Sequence, residues 1–408
     1  MKPLGPIPAG YAALDGELTV GGLTASELVE RAGETPCFVY SRELMVSRVA
    51  ALRAAMPDPI KVNYAIKANS FKPVLEAMSN LVDGLDIASG GELEQVRSIG
   101  YDMSRVSFAG PGKRDAELEA AIAAGVTLNL ESATEAERAL RIAEGLGIAP
   151  RLAIRVNPDF ELKGSGMKMG GGPRPFGIDA AQVPELARTI VASGADWRGL
   201  HIFTGSQALS ADAVIDMQRQ VFDCAQRIAD EAAVSLPKLN MGGGFGIPYF
   251  AGDESLDIGT VGAALGERIE RLPDLFADTE LFIELGRYLV GEAGIYLTRI
   301  VDRKESYGET YLVTDGGLHH QLAASGNFGT VVRRNYPLAI ANRFTEEPQE
   351  TANVVGCLCT PLDRLADKAH LPRAEIGDLV AVFCAGAYGA SASPSEFLGH
   401  GPAAEILV

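Results

Sequence analysis

The chain has 408 residues and a formal net charge of −17 at pH 7, with 47% apolar and 22% charged residues. This composition is typical of a globular protein, and the acidity argues against nucleic acid as a partner, because phosphate backbones need a basic surface. We find no run of about 20 apolar residues for a membrane span and no apolar stretch typical of a signal peptide. We therefore expect a cytoplasmic protein without membrane contact.

The five cysteines are too few and too scattered for a disulfide framework. Cys357 and Cys359 are separated by one residue, which fits neither a zinc knuckle nor a thioredoxin-type CxxC motif. The sequence therefore predicts free thiols and no metal site.

Short β-rich runs alternate with longer segments of helical period through the first two thirds of the chain. The β-rich runs are VNYAIKA, GLDIAS, VSFAG, VTLNL, LAIRVN, RGLHIF, KLNMGG and ELFIEL. Eight strands separated by helices predict an α/β fold, a (β/α)8 TIM barrel, which we place at residues 35–289. Runs such as ETYLVTDGG then indicate a mainly β domain at residues 290–408. Residues 1–34 contain a short strand, GELTVGG, which we expect to pack with that domain.

The functional residues of such a barrel lie at the carboxyl ends of its strands. Those ends are, in order, Lys67, Asp86, Arg155, His201–Ser206, Gly242–Gly244 and Glu284–Arg287. The set offers an amine, carboxylates, arginines and a glycine cluster that can bring backbone N–H groups to a phosphate.

Lys67 ends an apolar strand. A lysine buried there would have its pKa lowered by desolvation, which frees the amine for Schiff-base chemistry. Taken alone, a lysine that extends from a strand end into water is the more common case.

The glycine run Gly242–Gly246 follows the seventh strand, where barrels of this kind often bind phosphate, and Gly286 and Arg287 after the eighth strand are further candidates. A plain tight turn is the alternative. Glu284 lies in the apolar run FIELG and needs a partner. That partner is either Arg287 in a structural ion pair or the protonated nitrogen of a pyridine ring.

These residues fall within motifs that resemble one enzyme family. The motifs are Tyr64-Ala65-Ile66-Lys67-Ala68-Asn69, Asp86-Ile87-Ala88-Ser89, Gly199-Leu200-His201, Gly205-Ser206, Gly242-Gly243-Gly244, Glu284-Leu285-Gly286-Arg287-Tyr288, Asp315-Gly316-Gly317, Gly356-Cys357-Leu358-Cys359 and Gly386-Ala387-Tyr388. Over nearly its whole length the chain resembles the fold-type III, alanine-racemase-like decarboxylases, which include diaminopimelate and ornithine decarboxylases. The resemblance implies pyridoxal 5'-phosphate as cofactor, loss of CO2 from a small amino-acid substrate, and an obligate homodimer with shared active sites.

The resemblance also implies a role for each matching residue. Lys67 matches the Schiff-base lysine, and Glu284 matches the partner of the pyridine nitrogen. Cys359 matches a cysteine that enters the neighbouring subunit's site and donates a proton, the alternative being a small buried core residue. The phosphate-binding set is matched by Ser206, Gly242, Gly243, Gly244, Gly286, Arg287 and Tyr388. The surroundings of the lysine and the cofactor ring are matched by Asp86, Glu92 and Arg155.

Two positions depart from the family. Phe203 stands where the family stacks an imidazole on the pyridoxal ring, and a phenyl ring covers that face without offering a hydrogen bond. Thr360 stands where the family carries a glutamate or aspartate that meets the substrate's distal ammonium. A desolvated distal cation would have no partner there, so free diaminopimelate, lysine and ornithine are disfavoured as substrates.

Further motifs resemble a subgroup that includes a butirosin-pathway enzyme, which decarboxylates glutamate held on an acyl carrier protein. They are Met167-Lys168-Met169-Gly170-Gly171, Phe203-Thr204-Gly205, Gly246-Ile247-Pro248-Tyr249-Phe250, Asn335-Tyr336-Pro337 and Leu358-Cys359-Thr360-Pro361. The opening eight residues, MKPLGPIP, are similar to those of decarboxylases associated with exosortase A systems. We therefore consider a carrier-linked substrate, with Thr360, Arg334 and Tyr336 as candidate substrate contacts.

An acidic carrier protein would need a basic patch on this acidic chain. The candidates are Lys163, Lys168, Arg174, Arg333 and Arg334, the alternative being ordinary solvated charges or a mobile lid.

Three other functions stay open: a decarboxylase of free diaminopimelate or ornithine type, a racemase on the same cofactor, and a non-catalytic homologue that binds the cofactor. Racemases of this fold keep an arginine near the pyridine nitrogen, so Glu284 favours decarboxylation. Non-catalytic relatives usually lose the lysine or the cysteine, and this chain keeps Lys67 and Cys359.

Overall fold

A computed structural model describes residues 1–161, 167–326 and 333–408. Contacts divide the chain into two compact units. The barrel unit comprises Val49–Gly246 and Leu256–Leu285, and the β unit comprises Met1–Arg48, Ile247–Ser255 and Gly286–Val408. The domain boundaries that we place after residues 34 and 289 stay predictions.

Eight parallel strands form a closed sheet in the barrel unit. In chain order they are Ile60–Ala65, Gly84–Ile87, Val106–Phe108, Thr127–Leu130, Arg151–Asn157, Asp196–Ile202, Lys238–Gly243 and Glu280–Leu285. Each strand pairs with the next, and the eighth pairs with the first, with Glu284 opposite Asn63. The strands are apolar and buried nearly throughout because helices cover one face and the barrel interior the other. The predicted (β/α)8 barrel is confirmed.

The helices of the barrel unit alternate with its strands along the chain. They are Lys72–Ser79, Gly90–Ser98, Asp115–Ala123, Ala133–Leu146, Val183–Ala192, Ala211–Ala232 and Ile258–Ile269, while Arg42–Ala55 crosses the boundary between the units. Ser89, Ser132 and Ser210 each cap a helix, accepting the backbone N–H three residues later. Such caps satisfy helix-end donors and so fix the loops at the mouth of the barrel.

The β unit is built mainly from strands, as predicted. Its strands are Ala12–Leu14, Glu17–Val20, Leu23–Thr24, Cys37–Tyr40, Gly294–Ser306, Glu309–Thr314, Leu338–Ile340, Glu350–Val355, Arg364–Leu371, Leu379–Val382 and Ala404–Leu407. The first three form a small sheet of their own, whose Leu18 and Val20 pack in the same core as Ile295 and Phe383. The two-turn helix Ala25–Ala32 of this unit begins with a capping box at Thr24 and ends at Gly33.

None of the described helices is both long enough and apolar enough to cross a membrane.

Two glycines of the helix Ile258–Ile269 give a matched test of packing in the barrel unit. A Cβ on Gly262 would lie 1.8 Å from the Ala55 carbonyl oxygen, whereas one on Gly266 would meet nothing closer than 4.0 Å. We expect Gly262→Ala to destabilise the protein by about 1–3 kcal/mol through overpacking. Gly266→Ala should stabilise it by about 0.5–1 kcal/mol through helix propensity. Urea unfolding midpoints check both, and equal midpoints for the two variants would contradict this packing.

Candidate active site

Lys67 lies just beyond the first barrel strand, in the short 3-10 turn Ile66–Ala68. Ile66 and Ala68 are buried, whereas Lys67 is exposed, as in the alternative of a lysine that extends from a strand end. Its Nζ lies 5.9 Å from the centre of the Phe203 ring. The amine is therefore at the carboxyl end of the strands, where the functional groups of a barrel gather.

The glycine loop after the seventh strand lies beside the same phenyl ring. A Cβ on Gly242 would lie 2.8 Å from Phe203 Cδ2, and one on Gly243 would lie 2.2 Å from the Glu284 carbonyl oxygen. Gly242 and Gly244 have φ of +64° and +73°, a backbone region that disfavours side chains. Only glycine allows the ends of strands six, seven and eight to approach this closely. This crowding explains the glycines structurally, and their role in binding a phosphate stays a prediction.

Glu284 is buried at the end of the eighth strand, and its partner in the barrel unit is His201. His201 Nε2 lies 3.0 Å from Glu284 Oε2, although the angle between them is too poor for a hydrogen bond. Burial alone would raise the pKa of Glu284, but His201, Lys67 and Arg155 outweigh it and hold that pKa at about 2. Glu284 is therefore ionised at every physiological pH.

The pKa of Asp86, near the end of the second strand, is shifted in the opposite direction to that of Glu284. Burial and the Glu284 charge raise its pKa well above the usual value, although Ser107 and Asn63 donate hydrogen bonds to its Oδ1. Two nearby carboxylates whose pKa values are driven apart can hold a charge on one and a proton on the other.

Arg155, in the fifth strand, is held by a buried carboxylate, Glu131, which is not among the predicted site residues. Its guanidinium lies 2.9 Å from Glu131, which directly follows the fourth strand, and both side chains are at least nine-tenths buried. A second buried pair, Lys113 with Glu135, lies nearby at 2.6 Å. Arg155 thus has a fixed position from which its charge lowers the pKa of Glu284. In the sequence, the signal that could have identified Glu131 was a charged residue at the end of an apolar, strand-like run.

Glu92 and Ser206 complete the predicted set in the barrel unit. Burial raises the pKa of Glu92, although its carboxylate accepts a hydrogen bond from the Ala88 N–H and feels the charge of Lys67. Ser206 is half-buried in the short strand Gly205–Ser206, which pairs with Met167–Lys168.

Arg287 and Tyr388 are grouped in the β unit. Arg287 donates a hydrogen bond of 2.7 Å to the Tyr249 hydroxyl, and its guanidinium lies 4.8 Å from the centre of the Tyr388 ring. Arg287 follows Gly286 at the start of the short helix Arg287–Val290. Tyr388 has a φ of +56°, a strained conformation for a tyrosine and one that tends to mark functional positions. Tyr336 is buried and packs on Tyr249 with ring centres 4.7 Å apart.

Cys359 and Thr360 lie in a turn of the β unit that a buried carboxylate organises. Asp363 accepts the backbone N–H groups of Leu318, at 2.6 Å, and Leu358, at 2.8 Å. Cys359 is exposed, so its interpretation as a buried core residue is wrong. The Thr360 hydroxyl accepts the Leu362 N–H at 3.4 Å.

The arginines that we considered for a basic patch each have a partner within the chain. Arg334 lies 3.8 Å from Asp253 and stacks 3.7 Å from the centre of the Phe250 ring. Arg333 donates to the Leu362 carbonyl, and Arg174 lies 3.9 Å from Glu161. Lys163 lies outside the described residues, and so does the side chain of Lys168. The patch stays a prediction.

The barrel unit meets the chemical needs of pyridoxal phosphate. It presents an amine for the aldehyde, an ionised carboxylate for a protonated ring nitrogen, and a glycine loop for a phosphoryl group. Two buried oxygens of this unit, Glu284 Oε2 and Asp86 Oδ2, have no hydrogen-bond partner among the described residues. Buried polar atoms without a partner are costly, and a bound polar group would satisfy them.

Comparison with known proteins agrees. Residues 42–291 match the model for the pyridoxal binding domain of pyridoxal-dependent decarboxylases. The L-glutamyl-[BtrI acyl-carrier protein] decarboxylase of Niallia circulans is 34% identical, covering 92% of this chain and 89% of that protein. The diaminopimelate decarboxylase of Archaeoglobus fulgidus is 33% identical, covering 98% of this chain and 93% of that protein. The crystal structure of diaminopimelate decarboxylase from M. jannaschi has a TM-score of 0.86 at 25% identity, covering 97% and 92%.

Fold, site and these matches together define a barrel enzyme that depends on pyridoxal phosphate. Within that class, the chain belongs to the pyridoxal-dependent decarboxylase family, and its reaction is that of a carboxy-lyase. The fold-type III resemblance, the cofactor and the class of enzyme predicted from the sequence are confirmed.

The contact between His201 and Glu284 predicts a pH dependence. His201→Phe keeps the ring shape and removes both nitrogens, so the pKa of Glu284 should rise from about 2, since burial then has less opposition. Glu284 would take up a proton at higher pH, and the acid limb of the kcat profile should move upward by about one pH unit or more. Kinetics from pH 4 to 9 check this. The exposed His370→Gln variant is the control, and an acid limb at the same pH in both variants would contradict the prediction.

Proposed function

We propose that this enzyme removes the α-carboxylate of an amino acid whose far end is an uncharged acyl linkage, and that the linkage joins it to an acyl carrier protein. The observation that carries the proposal is the turn after Cys359. Thr360 offers a hydroxyl where a distal ammonium would need a carboxylate. The nearest carboxylate along the chain, Asp363, is buried, and each of its oxygens already accepts a backbone N–H.

Similarity supports the same substrate class. The relative from Niallia circulans is named for a glutamyl group on a carrier protein, and it covers nearly the whole of this chain. Diaminopimelate decarboxylases are almost as similar, which makes a free diamino acid the second candidate. The uncharged Thr360 favours the first.

The bound cofactor supplies an electron sink that makes loss of CO2 feasible. The chain's own residues supply position and charge. We assign the amine of Lys67 to carrying the cofactor and to moving a proton at the reacting carbon. Glu284, kept ionised by its surroundings, would hold a positive charge on the ring nitrogen, and the face of Phe203 would exclude water from one side of the ring.

Other residues would bind and position. The backbone of Gly242–Gly244, together with Ser206, Arg287 and Tyr388, is assigned to the phosphoryl group. Asp86 and Arg155 would fix the charge around the ring, and Arg334 and Tyr336 are assigned to the substrate's far end.

A direct test compares glutamate as a carrier-protein thioester with free glutamate, lysine and diaminopimelate, using CO2 release by the holoenzyme. We expect turnover of the thioester to exceed that of every free amino acid by at least about 100-fold in kcat/KM. Equal turnover of bound and free glutamate would remove the carrier protein from the proposal.

A charge introduced at Thr360 should change substrate preference. Thr360→Glu restores a carboxylate for a distal ammonium, so kcat/KM for diaminopimelate should rise by about 10-fold or more, while that for the thioester falls. Thr360→Gln, which has the same shape without the charge, is the matched control. If kcat/KM for diaminopimelate rises in both variants or in neither, residue 360 does not recognise the far end of the substrate.

We further propose a homodimer in which Cys359 serves the active site of the neighbouring subunit. Its exposed position in the turn of the β unit supports this, because a residue that acts in a partner must be accessible. A mixture of Lys67→Ala and Cys359→Ala chains should then regain about one quarter of wild-type activity, because statistical mixing makes half the dimers mixed and each of those has one intact site. Each variant alone should be nearly inactive, and a mixture no better than its components would exclude a shared site.

A further inference from the structure

Two histidines and a cysteine meet in the β unit, and the cysteine, Cys357, lies two residues before Cys359 in the chain. The ligand-type atoms of His319, Cys357 and His400 all lie within 4.8 Å of one another. The Cys357 Sγ is 3.8 Å from His400 Nε2, and the rings of His319 and His400 have centres 4.7 Å apart.

His319 is the informative member of this cluster. It is fully buried, and both its ring nitrogens lack a hydrogen-bond partner among the described residues. An imidazole always carries a donor or an acceptor on each nitrogen, so burying it without partners costs free energy unless something else satisfies it. His320, the next residue, is fully used: its Nδ1 is 3.1 Å from the Tyr296 hydroxyl and its Nε2 is 2.9 Å from the Gly401 carbonyl.

The backbone beside each of the three residues is tied down. Asp363 accepts the N–H groups of Leu318 and Leu358, which are the neighbours of His319 and Cys357. His320 contacts the carbonyl of Gly401, the neighbour of His400. The cluster is therefore preorganised by hydrogen bonds that do not involve the three side chains themselves, as a built ligand site requires.

We propose that His319, Cys357 and His400 bind a divalent transition-metal ion, with Zn²⁺ as the preferred ion. Two imidazoles and one thiolate suit zinc, which accepts nitrogen and sulfur ligands in tetrahedral geometry, and a water completes the fourth position. Cys357 is partly exposed and His400 is exposed, which gives the ion a path to the site. Binding would expel the thiol proton of Cys357 to solvent.

The site was hidden from the sequence because its ligands come from three distant segments. The short spacing of Cys357 and Cys359 argued against zinc, yet only Cys357 belongs to the cluster. The metal would join the turn that carries Cys359 to the C-terminal segment around His400. Metal binding itself does not depend on the proposed substrate, so the two proposals can fail separately.

Metal content tests the site directly. The purified holoenzyme should contain about one equivalent of zinc per chain by elemental analysis, and after chelation it should bind Co²⁺ with the visible d–d bands of a four-coordinate site. His400→Gln changes only an exposed side chain, so it should fold normally by circular dichroism and bind Co²⁺ at least about 100-fold more weakly. Cys357→Ser should do the same.

Matched controls lie in the same chain. Cys359→Ser removes a thiol from the same turn, and His370→Gln removes an exposed histidine elsewhere in the β unit; both should keep the Co²⁺ bands. A holoenzyme without metal that shows no four-coordinate spectrum on addition of stoichiometric Co²⁺ would overturn the proposal. Bands that persist in the folded His400→Gln and Cys357→Ser variants would also overturn it.

Discussion

The negative charge on Glu284 is the interaction on which the rest of the site depends. A buried carboxylate would ordinarily take up a proton, and this one stays ionised because His201, Lys67 and Arg155 surround it. Its charge in turn contributes to the raised pKa of Asp86. The burial of Asp86 and the charge of Glu284 thus drive the pKa values of these two neighbouring carboxyl groups in opposite directions.

That arrangement requires the closed barrel. Because all eight strands run in parallel, their carboxyl ends meet at one mouth, and residues far apart in sequence contribute to one charge network. The same closure forces the ends of strands six to eight so close together that Gly242 and Gly243 leave no room for a Cβ. The glycines that suit a phosphoryl group are therefore also demanded by the geometry of the barrel.

The eight barrel strands could be predicted from the sequence, because apolar runs that alternate with helical segments fit few other folds. The positions of Lys67 and Glu284 at strand ends could be predicted in the same way, because each residue lies at the end of such a run. Prediction from the sequence failed where a property depends on the third dimension. Neither the contact of His201 with Glu284 nor that of Glu131 with Arg155 follows from the spacing of these residues in the sequence. Partners from different strands become neighbours only when the barrel closes.

Asp363, like Thr360, bears on whether the proposed site could bind a substrate with a distal ammonium. To meet a distal ammonium, Asp363 would have to abandon the N–H groups of Leu318 and Leu358. Two buried donors left without acceptors would cost about 2–6 kcal/mol, which is as much as a new ion pair could return. Asp363 therefore stays in its structural role, holding the turn of Cys359. The proposed preference for an uncharged far end therefore depends on the hydrogen bonds that hold this turn as well as on the residue at position 360.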